Sequence, residues 1–276
     1  MRAAHADAAM ARSFLFVPGD RPDRFAKALA AGADAVILDL EDAVAPAGKL
    51  AARAAVADWL SAERKVLLRI NAADTEWFGD DLALCKHPGV VGVVLPKAES
   101  VDTIQEVTLH LTAGVGVLAL IETARGMADV ETIAAAPGVR RLLFGSIDFQ
   151  LDLGIDGDGE ELASFRSRLV LASRVAGLDA PVDGVTTAIH DIALLRADTE
   201  RARRMGFGGK LCIHPGQVGP VNDCFMPTAD ALAWARRVEE AAATADGAAV
   251  SVDGKMVDRP VLLRARHMLA EAARRS

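Results

Sequence analysis

The chain has 276 residues, 51% of them apolar and 25% charged, which suits one large domain with a full core and leaves no disordered block. A formal net charge of −7 removes the electrostatic footprint of a nucleic-acid binder. No apolar run reaches the roughly 20 residues that span a bilayer, and the opening MRAAHADAAMARS lacks the long apolar core of a secretion signal. Cys85, Cys212 and Cys224 lie far apart, have no metal spacing and leave one over in any pairing. The expectation is a soluble protein of the reducing cytoplasm, away from membranes, with a loose tail before Arg12.

From Ser13 onward, strand-like runs and helical stretches alternate. SFLFV (13–17) is followed by DRPDRFAKALAAG, where Asp20 is a plausible N-cap, Pro22 sits in the first turn and Gly32 is the stop. Then come AVILDL (35–40), KVLLRI (65–70), VVGVVL (90–95), VLALI (117–121), LLF (142–144), a weak APVDGV (180–185) and KLCI (210–213). Continuous apolar runs bounded by Gly and charge read as strands buried on both faces, as in parallel sheets. Before the last run, DTERARRMGFGG carries its basic residues toward a helix C-terminus, where the macrodipole favours them. Eight such runs alternating with helices predict a (β/α)₈ TIM barrel over residues 1–222. An open doubly wound sheet competes, but no Gly-rich phosphate fingerprint follows the first run. Residues 223–276 read as a helical extension, interrupted by the polar, Gly-bearing DGAAVSVDGKMVDRP (246–260).

Chemistry in such a barrel gathers where strands run out into βα loops. Glu122 ends the fifth run and Asp148 follows the sixth, so neighbouring strands would place two hard oxygen ligands side by side. That is what Mg²⁺ takes from a protein when substrate and water fill its other positions. A carboxylate after a strand can equally cap the next helix, which applies above all to Glu122. For Asp148 the freedom of Gly145 just before it favours the metal. Arg69, at the end of VLLRIN, needs an anion: either a substrate carboxylate that matches its fork, or a structural salt bridge to Asp39 or Glu41. Lys97 could form a Schiff base with a carbonyl substrate, although the carboxylates around it favour an ion pair. His214 reads as a hydrogen-bonding histidine, and Asp152 with 156–158 as a solvated loop rather than a calcium site.

Several blocks resemble one known group. They are FVPGDRPDRFAKALAAGADAVILDLEDAV (16–44), RIN (69–71), LPKAES (95–100), IETARG (121–126), FGSIDFQLDLG (144–154), CIHPGQV (212–218) and VDGKMVDRPV (252–261). They resemble the citrate lyase beta subunit-like, malyl-CoA and citramalyl-CoA lyases of the HpcH/HpaI aldolase superfamily. The resemblance implies a Mg²⁺-dependent carbon–carbon lyase that splits a 3-hydroxyacyl-CoA thioester into acetyl-CoA, or a similar thioester, and a 2-oxoacid. It places the metal on Glu122 and Asp148 and the substrate carboxylate on Arg69, so that Arg69 and Glu122 both bind substrate and act in catalysis. Glu41 and Asp42, with Lys97, fall around the metal, while Arg21 and Lys27 match positions that contact CoA phosphates. Asp258 matches a general acid/base that reaches a neighbouring subunit's site, and Asp253 in the same block could be confused with it. A homotrimer or a multiple of it is implied, with the 223–276 extension packed on a neighbouring subunit. The alternatives are a citryl-acyl-carrier lyase subunit of a citrate lyase complex, a Schiff-base aldolase using Lys97, and a non-catalytic barrel that binds an acyl-CoA or oxoacid.

Overall fold

Eight parallel strands close into a barrel, each hydrogen-bonded to the next and the last to the first. They are β1 Ser13–Pro18, β2 Ala35–Asp39, β3 Val66–Arg69, β4 Val90–Leu95, β5 Val117–Ile121, β6 Val139–Phe144, β7 Val182–Asp183 and β8 Gly209–Cys212. The structure, a computed structural model, describes residues 11–243 and 249–275. Residues 1–10 of the expected tail before Arg12, and positions 246–248 of the polar interruption, lie outside the described residues, whereas Ala11 is no loose tail residue: it is buried and its carbonyl accepts from Arg141. The expected (β/α)₈ barrel is the observed fold.

Side chains alternate along each strand, and both faces are covered. Leu118 and Leu120 of β5 pack inside the barrel with Phe14, Ile37, Val94 and Leu143. Val117, Ala119 and Ile121 face outward into the layer between strands and helices. Burial on both sides is why the runs read as continuous rather than alternating. The registers Pro18↔Asp39, Asp39↔Arg69 and Ile121↔Phe144 bring the strand ends, and the polar residues that follow them, to one rim.

Four details depart from the sequence expectation. The helix Pro22–Leu29 is preceded by Arg21 without a side-chain cap, so Asp20 is not its N-cap. β6 starts at Val139, because Arg141 is buried within the strand: it donates to Ala180 O at 2.7 Å and Ala11 O at 2.9 Å and lies over Phe14. β7 is only two residues long. The barrel is held there by a buried polar chain instead. Arg166 Nε donates to Asp183 Oδ1 at 2.8 Å, and Lys210 Nζ reaches Asp183 Oδ2 at 3.4 Å and Gly184 O at 2.8 Å. The fourth detail lies in the second compact unit, which begins at Met226. Its helices Ala229–Ala243 and Arg259–Arg275 flank an antiparallel hairpin, β9 Val250–Val252 and β10 Lys255–Val257, where only an interruption was expected. Asp253 and Gly254 turn the hairpin with φ of 53° and 75°, the geometry for which Asp-Gly is suited. Ala235, Val238, Val252, Val257 and Ala265 form its core.

Candidate active site

Glu122 leaves the end of β5 and is only 2% exposed. It caps no helix. Thr123 takes that part for the helix Ala124–Ala128, its Oγ1 accepting the Gly126 N–H at 3.0 Å. Glu122 Oε1 instead accepts the backbone N–H of Lys97 at 2.8 Å. Lys97 adopts φ +44°, a left-handed conformation that costs a non-glycine residue on the order of 1–3 kcal/mol. Asp148 sits in the first turn of the helix Ser146–Leu153, which follows β6 directly. Gly145, between strand and helix, has an ordinary φ of −85°. Its role is space, not backbone freedom as the sequence suggested: a Cβ there would lie 2.5 Å from Glu122 Cβ and 2.6 Å from its Oε2.

Glu122 and Asp148 line one cavity of about 260 Å³ at the strand ends, shared with Phe16, Asp42 and Arg69. Burial, then the repulsion of Glu41, pushes the Glu122 carboxyl up to about 8. Burial likewise lifts Glu41 to about 7, against the pull of Arg69, and burial with Asp42 raises Asp148. Of the charged residues that line this cavity, Asp39, Asp42, Glu122 and Asp148 are carboxylates and Arg69 is a cation, so the carboxylates outnumber the cations. Among the described residues Asp148 forms no salt bridge, and no group of three or more His, Cys, Asp or Glu is placed to hold a metal without other ligands. Two oxygen donors with open positions around them fit a hard divalent cation that also takes substrate and water.

Arg69 has the structural partners that were the second alternative. Its Nε and Nη2 donate to the two oxygens of Asp39 at 2.7 and 2.6 Å, and Nη1 lies 2.9 Å from Glu41 Oε2. Burial opposes the charge, but Asp39 and Glu41 outweigh it and hold the guanidinium above its ordinary pKa. The Phe16 ring, 4.7 Å away, backs it. Two of its five N–H groups are hydrogen-bonded to Asp39, while Glu41 Oε2 faces Nη1 as an ion pair without a hydrogen bond, so Nη1 and Nη2 keep N–H groups for a ligand.

The remaining expected residues divide. Lys97 supports Glu122 through its backbone; its side chain is exposed, lines a neighbouring cavity of about 540 Å³ and makes no ion pair among the described residues, contrary to expectation. Lys27 lines a cavity of about 440 Å³ between β1 and β8, where it is joined by Arg24 and His214. Arg21 lies apart, 44% exposed and bound to Asp23 through two hydrogen bonds. Asp258 is in the second unit, where its Oδ1 accepts the Val261 N–H at the start of the last helix. Asp253 pairs with Arg237 in the hairpin turn. Asp158 is no solvated loop residue, for it bridges Arg166 and Arg201.

Two residues near the site were missed from sequence. Lys49, 6% exposed, donates to the carbonyls of Leu40 and Glu41 at 2.8 Å each and fixes the loop after β2. Arg24 looks like any other charge on a helix surface, and only its place beside Lys27 distinguishes it.

Residues 12–215 match the profile of the HpcH/HpaI aldolase/citrate lyase family. A citrate lyase subunit beta-like protein of Deinococcus radiodurans is 39% identical over 285 residues, covering 98% of this chain and 100% of the relative. A (3S)-malyl-CoA thioesterase of Cereibacter sphaeroides is 37% identical over 271 residues, 95% of this chain and 94% of its own. The crystal structure of CitE from Mycobacterium tuberculosis in complex with magnesium, acetoacetate and coenzyme A superposes with a TM-score of 0.85 at 40% identity, covering 96% of this chain and 99% of that one.

Proposed function

The chain belongs to the HpcH/HpaI aldolase/citrate lyase family, and within it we propose a Mg²⁺-dependent carbon–carbon lyase that splits a 3-hydroxyacyl-CoA thioester into acetyl-CoA, or a similar thioester, and a 2-oxoacid. The observation that carries this is the gathering of Glu122, Asp148 and Arg69 in one cavity whose carboxylates outnumber its cations. The magnesium, acetoacetate and coenzyme A bound by the Mycobacterium tuberculosis CitE support it.

Glu122 and Asp148 would hold the ion, which supplies Lewis acidity toward the substrate's oxygens. Arg69, already fixed by Asp39, offers its remaining Nη N–H groups to the carboxylate that becomes part of the oxoacid. Glu41 faces Arg69 and Asp42 lines the cavity, and both would hold metal-bound water. Transfer of the 3-hydroxyl proton to solvent lets the C3–O bond become the oxoacid carbonyl as the C2–C3 bond breaks, which leaves an electron pair on C2 of the departing thioester, and that carbon must then be protonated. Asp258 of the partner subunit, as a carboxylic acid, is the proposed donor. That makes the working form a homo-oligomer, a trimer or a multiple of it. Lys27, with Arg24 in the same cavity, is the proposed contact for the CoA phosphates, whereas Arg21 would have to leave Asp23 to join them.

The test is a panel of free CoA thioesters and carrier-bound citryl thioester, assayed for released oxoacid with and without Mg²⁺. Asp148→Ala is expected to lower Mg²⁺-dependent cleavage at least about a hundredfold while the metal-free protein melts unchanged. Retained activity in the variant would sink the metal assignment. The (3S)-malyl-CoA thioesterase relative favours a second reading, thioester hydrolysis on the same scaffold. With malyl-CoA the two part cleanly, since cleavage yields acetyl-CoA and glyoxylate and hydrolysis yields free CoA and malate.

A further inference from the structure

Asp152 takes no part in the chemistry above, yet it connects the two segments that carry the carboxylates. It lies one turn beyond Asp148 on the helix Ser146–Leu153, so the two share a helix face. Its Oδ2 accepts the backbone N–H of Ala124 at 2.6 Å, across 28 positions of sequence. Ala124 opens the helix Ala124–Ala128 two residues after Glu122, and its N–H has no acceptor inside that helix. Thr123, between them, ties the same segment to the loop after β4: its Oγ1 donates to Glu99 Oε1 at 2.8 Å. The Lys97 N–H on Glu122 Oε1 is another tie to that loop. The Asp152–Ala124 bond joins the segment of Glu122 to the helix of Asp148.

The strands cannot do this alone. The register Ile121↔Phe144 aligns the ends of β5 and β6, but each chain then turns into its own helix. Glu122 and Asp148 also repel one another across the cavity. A carboxylate accepting a backbone amide is a charge-assisted bond, stronger than a neutral one, and here it lies outside the cavity and uses neither ligand.

We infer that Asp152 is a positioning residue that sets the spacing of Glu122 and Asp148 and thereby the affinity for the divalent cation. The inference rests on the metal reading proposed above. Mg²⁺ alone, titrated calorimetrically into the full-length metal-free chain, tests it. Asp152→Ala is expected to weaken Mg²⁺ binding about tenfold, the lower end of the usual loss for a residue that orients ligands, with the metal-free melting temperature kept. Asp152→Asn retains an acceptor oxygen and should restore affinity to within about twofold. Unchanged affinity in the alanine variant overturns the inference, and so does an asparagine variant as weak as alanine, which would point to charge rather than the tie. A wild-type chain that takes up no Mg²⁺ would overturn the metal reading and this inference together, an outcome distinct from either of the others.

Discussion

Arg69 is fixed before any substrate arrives. Two of its nitrogens are committed to Asp39, which is fully buried, and a third faces Glu41. Arg69→Lys replaces that fork with a point charge that cannot serve Asp39 and a ligand together. The Michaelis constant for the thioester should rise tenfold or more, and the metal-free protein should lose about 1–3 kcal/mol as Asp39 is left short of a donor. Steady-state kinetics and urea unfolding read the two effects separately, and an unaltered Michaelis constant would contradict the assigned role. Gly145→Ala probes the other side of the cavity, because the added methyl meets Glu122 at 2.5 Å. An overpacking cost of about 1–3 kcal/mol and weakened Mg²⁺ binding should appear together in melting and titration. At this scale the sequence announced the kind of residue but not its partner. VLLRIN identifies a buried cation that must find an anion, but the pairing with Asp39 depends on the β2–β3 register Asp39↔Arg69, and a single chain carries no record of register. Asp152 and Lys49 are harder still: on a helix they look like ordinary solvated charge until the fold brings Ala124 and Glu41 to them.

The strands that were clearest in sequence are those with apolar residues on both faces. VVGVVL and VLALI match β4 and β5 residue for residue, since nothing polar interrupts them. The first three residues of β6 were hidden in the sequence by the two arginines in VRRLLF, one exposed and one satisfied by carbonyls. The β9–β10 hairpin carried a usable signal, Asp-Gly between short alternating runs, which the polar surroundings obscured. β7 was weak because it is weak: two residues close the barrel with the help of Asp183, Arg166 and Lys210, all fully buried. Burial opposes ionisation of Asp183, but Lys210 and then Arg166 outweigh it and hold its pKa below the ordinary carboxylate value. The sign follows. This carboxylate contributes stability that is fully present above the unfolded value of about 3.9 and is lost as pH falls through its lower folded value. Asp183→Asn leaves the buried Lys210 without a carboxylate and Arg166 with Asp158 alone, and should cost about 3–5 kcal/mol at neutral pH. It should also flatten the dependence of stability on pH below about 4, measured by denaturant unfolding across that range. An equally steep acid limb in the variant would show that other groups carry it.

For the molecule as a whole, a cation held by carboxylates that only the fold brings together should stabilise it. At a hundredfold excess over its dissociation constant, Mg²⁺ should add about 2.7 kcal/mol, removed by EDTA and restored by adding the ion back. A second consequence concerns completeness. Ile147 and Leu151, one turn apart on the helix that carries Asp148, are 43% and 82% exposed, and Ile213 at the same cavity is 41% exposed. A single chain leaves this apolar rim in water, which agrees with the proposal that another copy covers it and brings Asp258. Asp148→Ala and Asp258→Ala chains should each be inactive alone, one lacking a metal ligand and the other a proton donor. If sites are shared head to tail around a closed ring, random co-assembly unites an intact metal pair with a neighbour's intact Asp258 in about one site in four. Mixed oligomers, refolded or coexpressed together, should then recover about a quarter of the wild-type activity. An Asp258 that served its own barrel would give no recovery, because every site would carry one defect or the other.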